Sequence, residues 1–153
     1  MAIQFLDERL SMQSNVNTGT GFFSATPLLI GDIGLQTGAA VDAGNEDSVR
    51  VALQGTVGFL GAVEVTATLT LTIERNGTGT AGTGVLIYTE TFDTDGSASF
   101  GQVSLTAADF PPALAVLANQ IRYTLFITST SDSIGFSGPA VFNGSASAGT
   151  TSS

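Results

Sequence analysis

The chain has 153 residues, 42% of them hydrophobic, and a formal net charge of −9 from 13 acidic residues and 4 arginines. That length suits one domain with a sizeable core, and the acidic balance leaves no basic patch for nucleic acid or an anionic membrane. Cysteine, histidine, lysine and tryptophan are absent, which removes disulfides, thiolate or imidazole metal sites, Ser–His and Cys–His nucleophiles and lysine Schiff bases.

Residues 1–21 read as an N-terminal connector. Ile3 and Phe5 alternate with Ala2 and Gln4, Leu6 follows, and SNVNTGTG from Ser14 to Gly21 has linker composition. The opening MAIQFLDERL lacks the basic and long apolar regions of a signal peptide, and no apolar run approaches the roughly 18 residues of a membrane helix. A β-domain is expected over 22–147 and a mobile tail over 148–153.

Within the domain, FFSATPLLIGDIGLQ (22–36) predicts one or two short strands broken at Pro27 and Gly31, and 37–47 a loop. SVRVALQGTVGF (48–59) places Val49, Val51 and Leu53 inward against Arg50 and Gln54. The stretch 63–74 alternates without a slip: Val63, Val65, Ala67, Leu69, Leu71 and Ile73 on one face, and Glu64, Thr66, Thr68, Thr70, Thr72 and Glu74 on the other. RNGTGTAGTG after it reads as a long flexible hairpin tip. Strands follow at 85–92, 99–105 and 121–130, the last with Tyr123 in the core. Pro111–Pro112 limits the only helix-compatible stretch, 106–120, to a turn or two. IGF (134–136) and PAVFNGSA (139–146) close the domain. Many short strands separated by Gly-rich turns predict an all-β fold, an antiparallel β-sandwich or jelly roll.

No catalytic site and no cofactor emerge. Glu64 and Glu74 share a face but lie ten residues apart, roughly 33 Å along a strand, beyond the reach of a glycosidase pair. DTDG at Asp93–Gly96 departs from the EF-hand pattern and reads as a tight turn, and the Asp42, Glu46, Asp47 cluster is no better patterned. Sequons at Asn76 and Asn143 read as incidental. An alternative, a carbohydrate-binding or adhesive module, wants an exposed aromatic platform: Tyr88 lies on an open side, whereas burial is expected for Phe22, Phe23 and Phe136.

Charged residues make up only 11% of the chain, against about 25% in an average domain. A surface of Thr, Ser, Asn, Gln and Gly is hydrated, weakly self-repelling and suited to packing against copies of itself. The face of Thr66, Thr68, Thr70 and Thr72 would pack laterally on a neighbour with little desolvation of charge; threonine is equally favoured in any solvent-facing strand. A detached strand carrying Ile3, Phe5 and Leu6 would complete a sheet of the next subunit, giving head-to-tail growth; its rival is a strand folded back on its own domain.

DSVRVALQGTVGF, LTIERNG, IRYTLFIT and SGPAVFNGSASAG, in that order, resemble the spore-surface proteins of spore-forming bacilli, over roughly 47–149. The resemblance implies an exosporium or spore-appendage structural protein with a sandwich or jelly-roll core. It implies deposition on the spore without a signal peptide, and homo-oligomers or filaments, with other spore-surface proteins as further partners. Some appendage subunits cross-link through N-terminal cysteines. This chain has none, so the contact would be noncovalent.

Overall fold

In the computed structural model, residues 3–19 and 21–149 are described. The strands are β1 (Gln4–Ser14), β2 (Gly21–Phe22), β3 (Leu28–Gln36), β4 (Arg50–Leu60), β5 (Thr68–Arg75), β6 (Val85–Asp93), β7 (Phe100–Asp109), β8 (Gln120–Ser129) and β9 (Gly135–Ala148). Two short helices, α1 (Gly38–Asp42) and α2 (Ala113–Val116), and a 3-10 turn at Glu46–Ser48 cluster at one end.

The pairings nest. β5 pairs with β6, β4 with β7, β3 with β8 and β1 with β9, all antiparallel. A long ribbon folded this way and rolled up gives two sheets, β1-β9-β4-β7 (with β2 also on β9) and β3-β8-β5-β6. That is the strand order of a jelly roll, so the all-β expectation holds in its more specific form. The sheets close on a core in which Leu53, Leu69, Leu71, Ile73, Ile121, Leu125 and Phe142 are fully buried, each contributing about 1.5–3 kcal/mol of burial. Apart from Phe142, the inward positions of β9 from Ala140 to Ala148 are small, which lets the sheets meet. A Cβ on Gly144 would stand 2.7 Å from Leu53 Cδ2. Gly31 does not break β3. The strand bulges there and passes over Phe142, whose Cβ would lie 2.4 Å from any side-chain carbon on that glycine.

Four further expectations change. Residues 4–14, expected in a detached connector, form β1 in the chain's own sheet, paired with β9 from Gln4↔Ala148 to Ser14↔Ala140. The strand expected from Val63 starts at Thr68. Before it Glu64 has φ 60, and Thr94 takes over the pairing, its Oγ1 accepting from Ala67 N and donating to Val65 O. The Gly/Thr tip is a folded loop rather than a flexible one: the Glu74 carboxylate accepts from Gly82 N and Gly84 N, and Thr78 and Thr83 bond across it. Finally, the tail does not begin at 148, since Ala148 ends β9 buried and Gly149 N donates to Ser48 Oγ. Residues 150–153, like Met1, Ala2 and Thr20, lie outside the described residues.

Candidate functional site

β1 is inside out. Its sandwich-facing side carries Asp7, Ser11 and Gln13, and these bond the unpaired backbone of the β3 edge. Gln13 Nε2 donates to Leu29 O (2.8 Å) and Ile30 O (3.0 Å). Asp32 N donates to Ser11 Oγ, and Gln36 N to Asp7 Oδ2 (2.9 Å). A bulge between Phe5 and Asp7 shifts the phase, so Phe5, Glu8, Leu10 and Met12 all point outward. Phe5, Leu10 and Met12 are 65%, 71% and 58% exposed. Leu6, at the bulge, packs against the core, and Ile3 precedes β1 and is exposed. Of the three expected donor residues, Phe5 and Leu6 thus belong to a strand anchored in its own domain, and Ile3 lies just before it.

The outer face of the β1-β9-β4-β7 sheet can be laid out by register. Phe5, Ser147 and Arg50 form one row, then Glu8, Ser145, Ala52 and Ala108, then Leu10, Asn143, Gln54 and Thr106, then Met12, Val141, Thr56 and Ser104. Beyond them Phe22, Gly135, Leu60 and Phe100 form a last row, with both rings exposed. In these rows only Glu8 and Arg50 are charged, on a chain of net charge −9. Apolar side chains edge two sides of the face and amides and hydroxyls fill its middle.

On the opposite sheet, Thr68, Thr70 and Thr72 do share the outer face. Thr70 lies between Thr91 and Thr128, and Thr72 between Thr89 and Phe126. Thr66 falls outside β5 and is not part of this array. The Gly/Thr loop folds back at one end of the face, where a Cβ on Gly79 would touch Leu29; Thr124 and Phe126 are buried there on the outward side of β8. The chain therefore already covers part of its threonine face.

Several carboxylates are engaged structurally. Asp109 reaches from β7 across to the other sheet, where Arg75 Nη1 donates to both its oxygens (2.8 Å each) and Tyr123 Oη donates to Oδ2 (2.7 Å). Burial, then the Asp109 carboxylate, push the Tyr123 hydroxyl well above the ordinary phenol range. Arg122 forms a two-pronged pair with Asp32 on the surface. Asp95 Oδ1 accepts from Ser97 Oγ and Ser97 N, which lower its pKa and make DTDG a tight turn. Among the described residues no group of three or more His, Cys, Asp or Glu is placed to hold a metal ion, and no helix is long and apolar enough to cross a membrane.

Aromatic placement departs from expectation. Tyr88 faces the sandwich gap, half-buried, its hydroxyl donating to Glu90 Oε2 (2.9 Å), because the bulge at Ile73/Glu74 reverses the parity of β6 around Ile87. Phe23 is buried and stacks on half-buried Phe136, but Phe22 is exposed.

No protein-family model matches the chain, and no curated protein matches it. Among solved structures, a chain of infectious bursal disease virus (Gt strain) aligns with TM-score 0.48 and 11% identity over 94% of this chain and 32% of that one. The Gx strain gives 0.46 and 13% over 93% and 31%. Eiger TNF from S. frugiperda gives 0.49 and 11% over 98% and 96%. This chain spans under a third of the viral chains' length. The jelly-roll assignment rests on the strand order itself.

Proposed function

We propose that this chain is a structural subunit of a bacterial spore surface, exosporium or appendage, that assembles noncovalently with copies of itself and catalyses nothing. The observation that carries the reading is the outer face of the β1-β9-β4-β7 sheet: apolar along two sides, with one acid and one base, on an otherwise acidic protein. Copies approaching through this face bring together little like charge and cover apolar side chains exposed along it, Phe5 and Leu10 among them. Four strands of about ten residues span roughly 33 Å by 19 Å, on the order of 600 Å² per copy, near the lower end for specific interfaces of about 800 Å² per partner. The copies meet as folded units. Donation of β1 would first require breaking its ladder to β9 and its four bonds to β3.

The test is sedimentation and negative-stain microscopy of the purified chain across a concentration series. Ordered oligomers or filaments support the reading; a monomer at every concentration overturns it. The exposed rings of Phe22 and Phe100 favour a second reading, a carbohydrate-binding or adhesive module. A monomer that binds glycans, and loses that binding on Phe22→Ala or Phe100→Ala, would establish it instead.

A further inference from the structure

Among the described residues, neither charge on the assembly face has an ion-pair partner in its own chain. Among the described residues Arg9, Arg75 and Arg122 each pair with an aspartate, and Arg50, half-buried with its Nη2 closed off from solvent, pairs with none. The carboxylate of Glu8 joins no ion pair either, since Asp7 takes the neighbouring Arg9. Glu8 stands on β1 and Arg50 on β4, on opposite sides of β9 and one outward row apart, in register with Ser145 and Ser147 respectively. Two strand spacings and one row separate their Cα atoms by about 12 Å.

Resting on the self-assembly reading above, we infer that the partner on this face is a second copy of the chain, docked so that Glu8 of each copy pairs with Arg50 of the other. A two-fold axis lying in the interface and crossing β9 between Ser145 and Ser147 exchanges the two positions, so both pairs form at once. This is the self-complementarity that an isologous contact requires. Small serines at the axis let the two sheets approach closely. The same operation brings the Phe5 rings of the two copies side by side, which gives the outward apolar residue of that row a partner. Charges of one sign at these two positions would repel across the contact, so the pair also sets the register.

The experiment is a charge-swap cycle on the full chain, read by sedimentation equilibrium with thermal melting to verify folding. Glu8→Arg and Arg50→Glu should each raise the dissociation constant about tenfold or more, and the double swap should return it to within about threefold of the parent. If the parent associates but the double swap stays as weak as the weaker single variant, or Glu8→Arg associates like the parent, the pairing is wrong while self-assembly stands. A parent that remains monomeric removes both. Should Arg50→Glu not fold, Glu8→Arg against Glu8→Gln decides: reversal must weaken association more than neutralisation, and equal effects overturn the pairing.

Discussion

Asp109→Ala tests the polar clamp between the sheets. The carboxylate accepts from Arg75 Nη1 and Tyr123 Oη, and the Arg75 and Asp109 side chains are only 13% and 10% exposed. Removing it leaves a mostly buried guanidinium without its counter-charge, at a cost of about 3–5 kcal/mol. For a domain of this size each kcal/mol lowers the melting temperature by about 2–4 °C, so the expected fall is about 6–20 °C. Tyr123→Phe removes one hydrogen bond to a charged group, about 1.5–3 kcal/mol, and leaves the Arg75–Asp109 pair in place. The order of damage should therefore be Asp109→Ala above Tyr123→Phe, measured by urea unfolding with an unchanged slope. A loss under about 1 kcal/mol for Asp109→Ala would refute the clamp. So would a larger loss for Tyr123→Phe.

Tyr123 also predicts an alkaline limit. Its folded pKa is raised, so the stability it contributes is complete below the unfolded phenol value near 10 and is lost as pH rises above it; Tyr123→Phe should flatten that part of the stability curve. Asp7 behaves oppositely. Burial raises its pKa, but bonds from Gln36 N, Arg9 and Glu8 N outweigh this and lower it overall. Its contribution is present above the ordinary carboxylate range and is lost as pH falls below it, so acid should speed amide exchange at Gln36 and Asp7→Asn should abolish that dependence. Glu74→Gln should cost about 1–3 kcal/mol and raise amide exchange at Gly82 and Gly84, whose amides the carboxylate holds; unchanged exchange would mean the loop is held otherwise. Leu10→Ala should leave the unfolding free energy within about 0.5 kcal/mol of the parent while weakening self-association, and a variant that associates normally would remove Leu10 from the contact.

The core was legible because period-two alternation survives wherever one face is fully buried. Val51 and Leu53, Leu69 to Ile73, and Ile121 to Ile127 all face the sandwich as their parity requires. What stayed hidden are places where a side chain replaces a ladder. Thr94 stands in for a strand partner at Val65 and Ala67, and Glu74 gathers glycine amides eight and ten residues away. Such bonds leave no periodic mark. A Gly/Thr run looks mobile until the carboxylate that organises it is located. The bulge beside Glu74 had a similar effect, turning Tyr88 toward the gap when uninterrupted alternation put it outside.

The first strand misled for a reason that bears on function. In 3–12 the apolar residues sit at odd positions, Ile3 and Phe5, and then at even ones, Leu6, Leu10 and Met12. That switch is what a single bulge between Phe5 and Asp7 produces, and it was the available sign that Phe5, Leu10 and Met12 belong to one continuous strand. Alternation alone would turn the apolar side inward. Here the inward side instead satisfies the backbone of the β3 edge, which Asp7, Ser11 and Gln13 do. An exposed sheet edge invites addition of another chain, so β1 closes that edge with polar side chains and turns its apolar ones outward. A strand built to stabilise only the monomer would gain nothing from exposed Phe5, Leu10 and Met12. Their orientation becomes favourable once a second surface covers them.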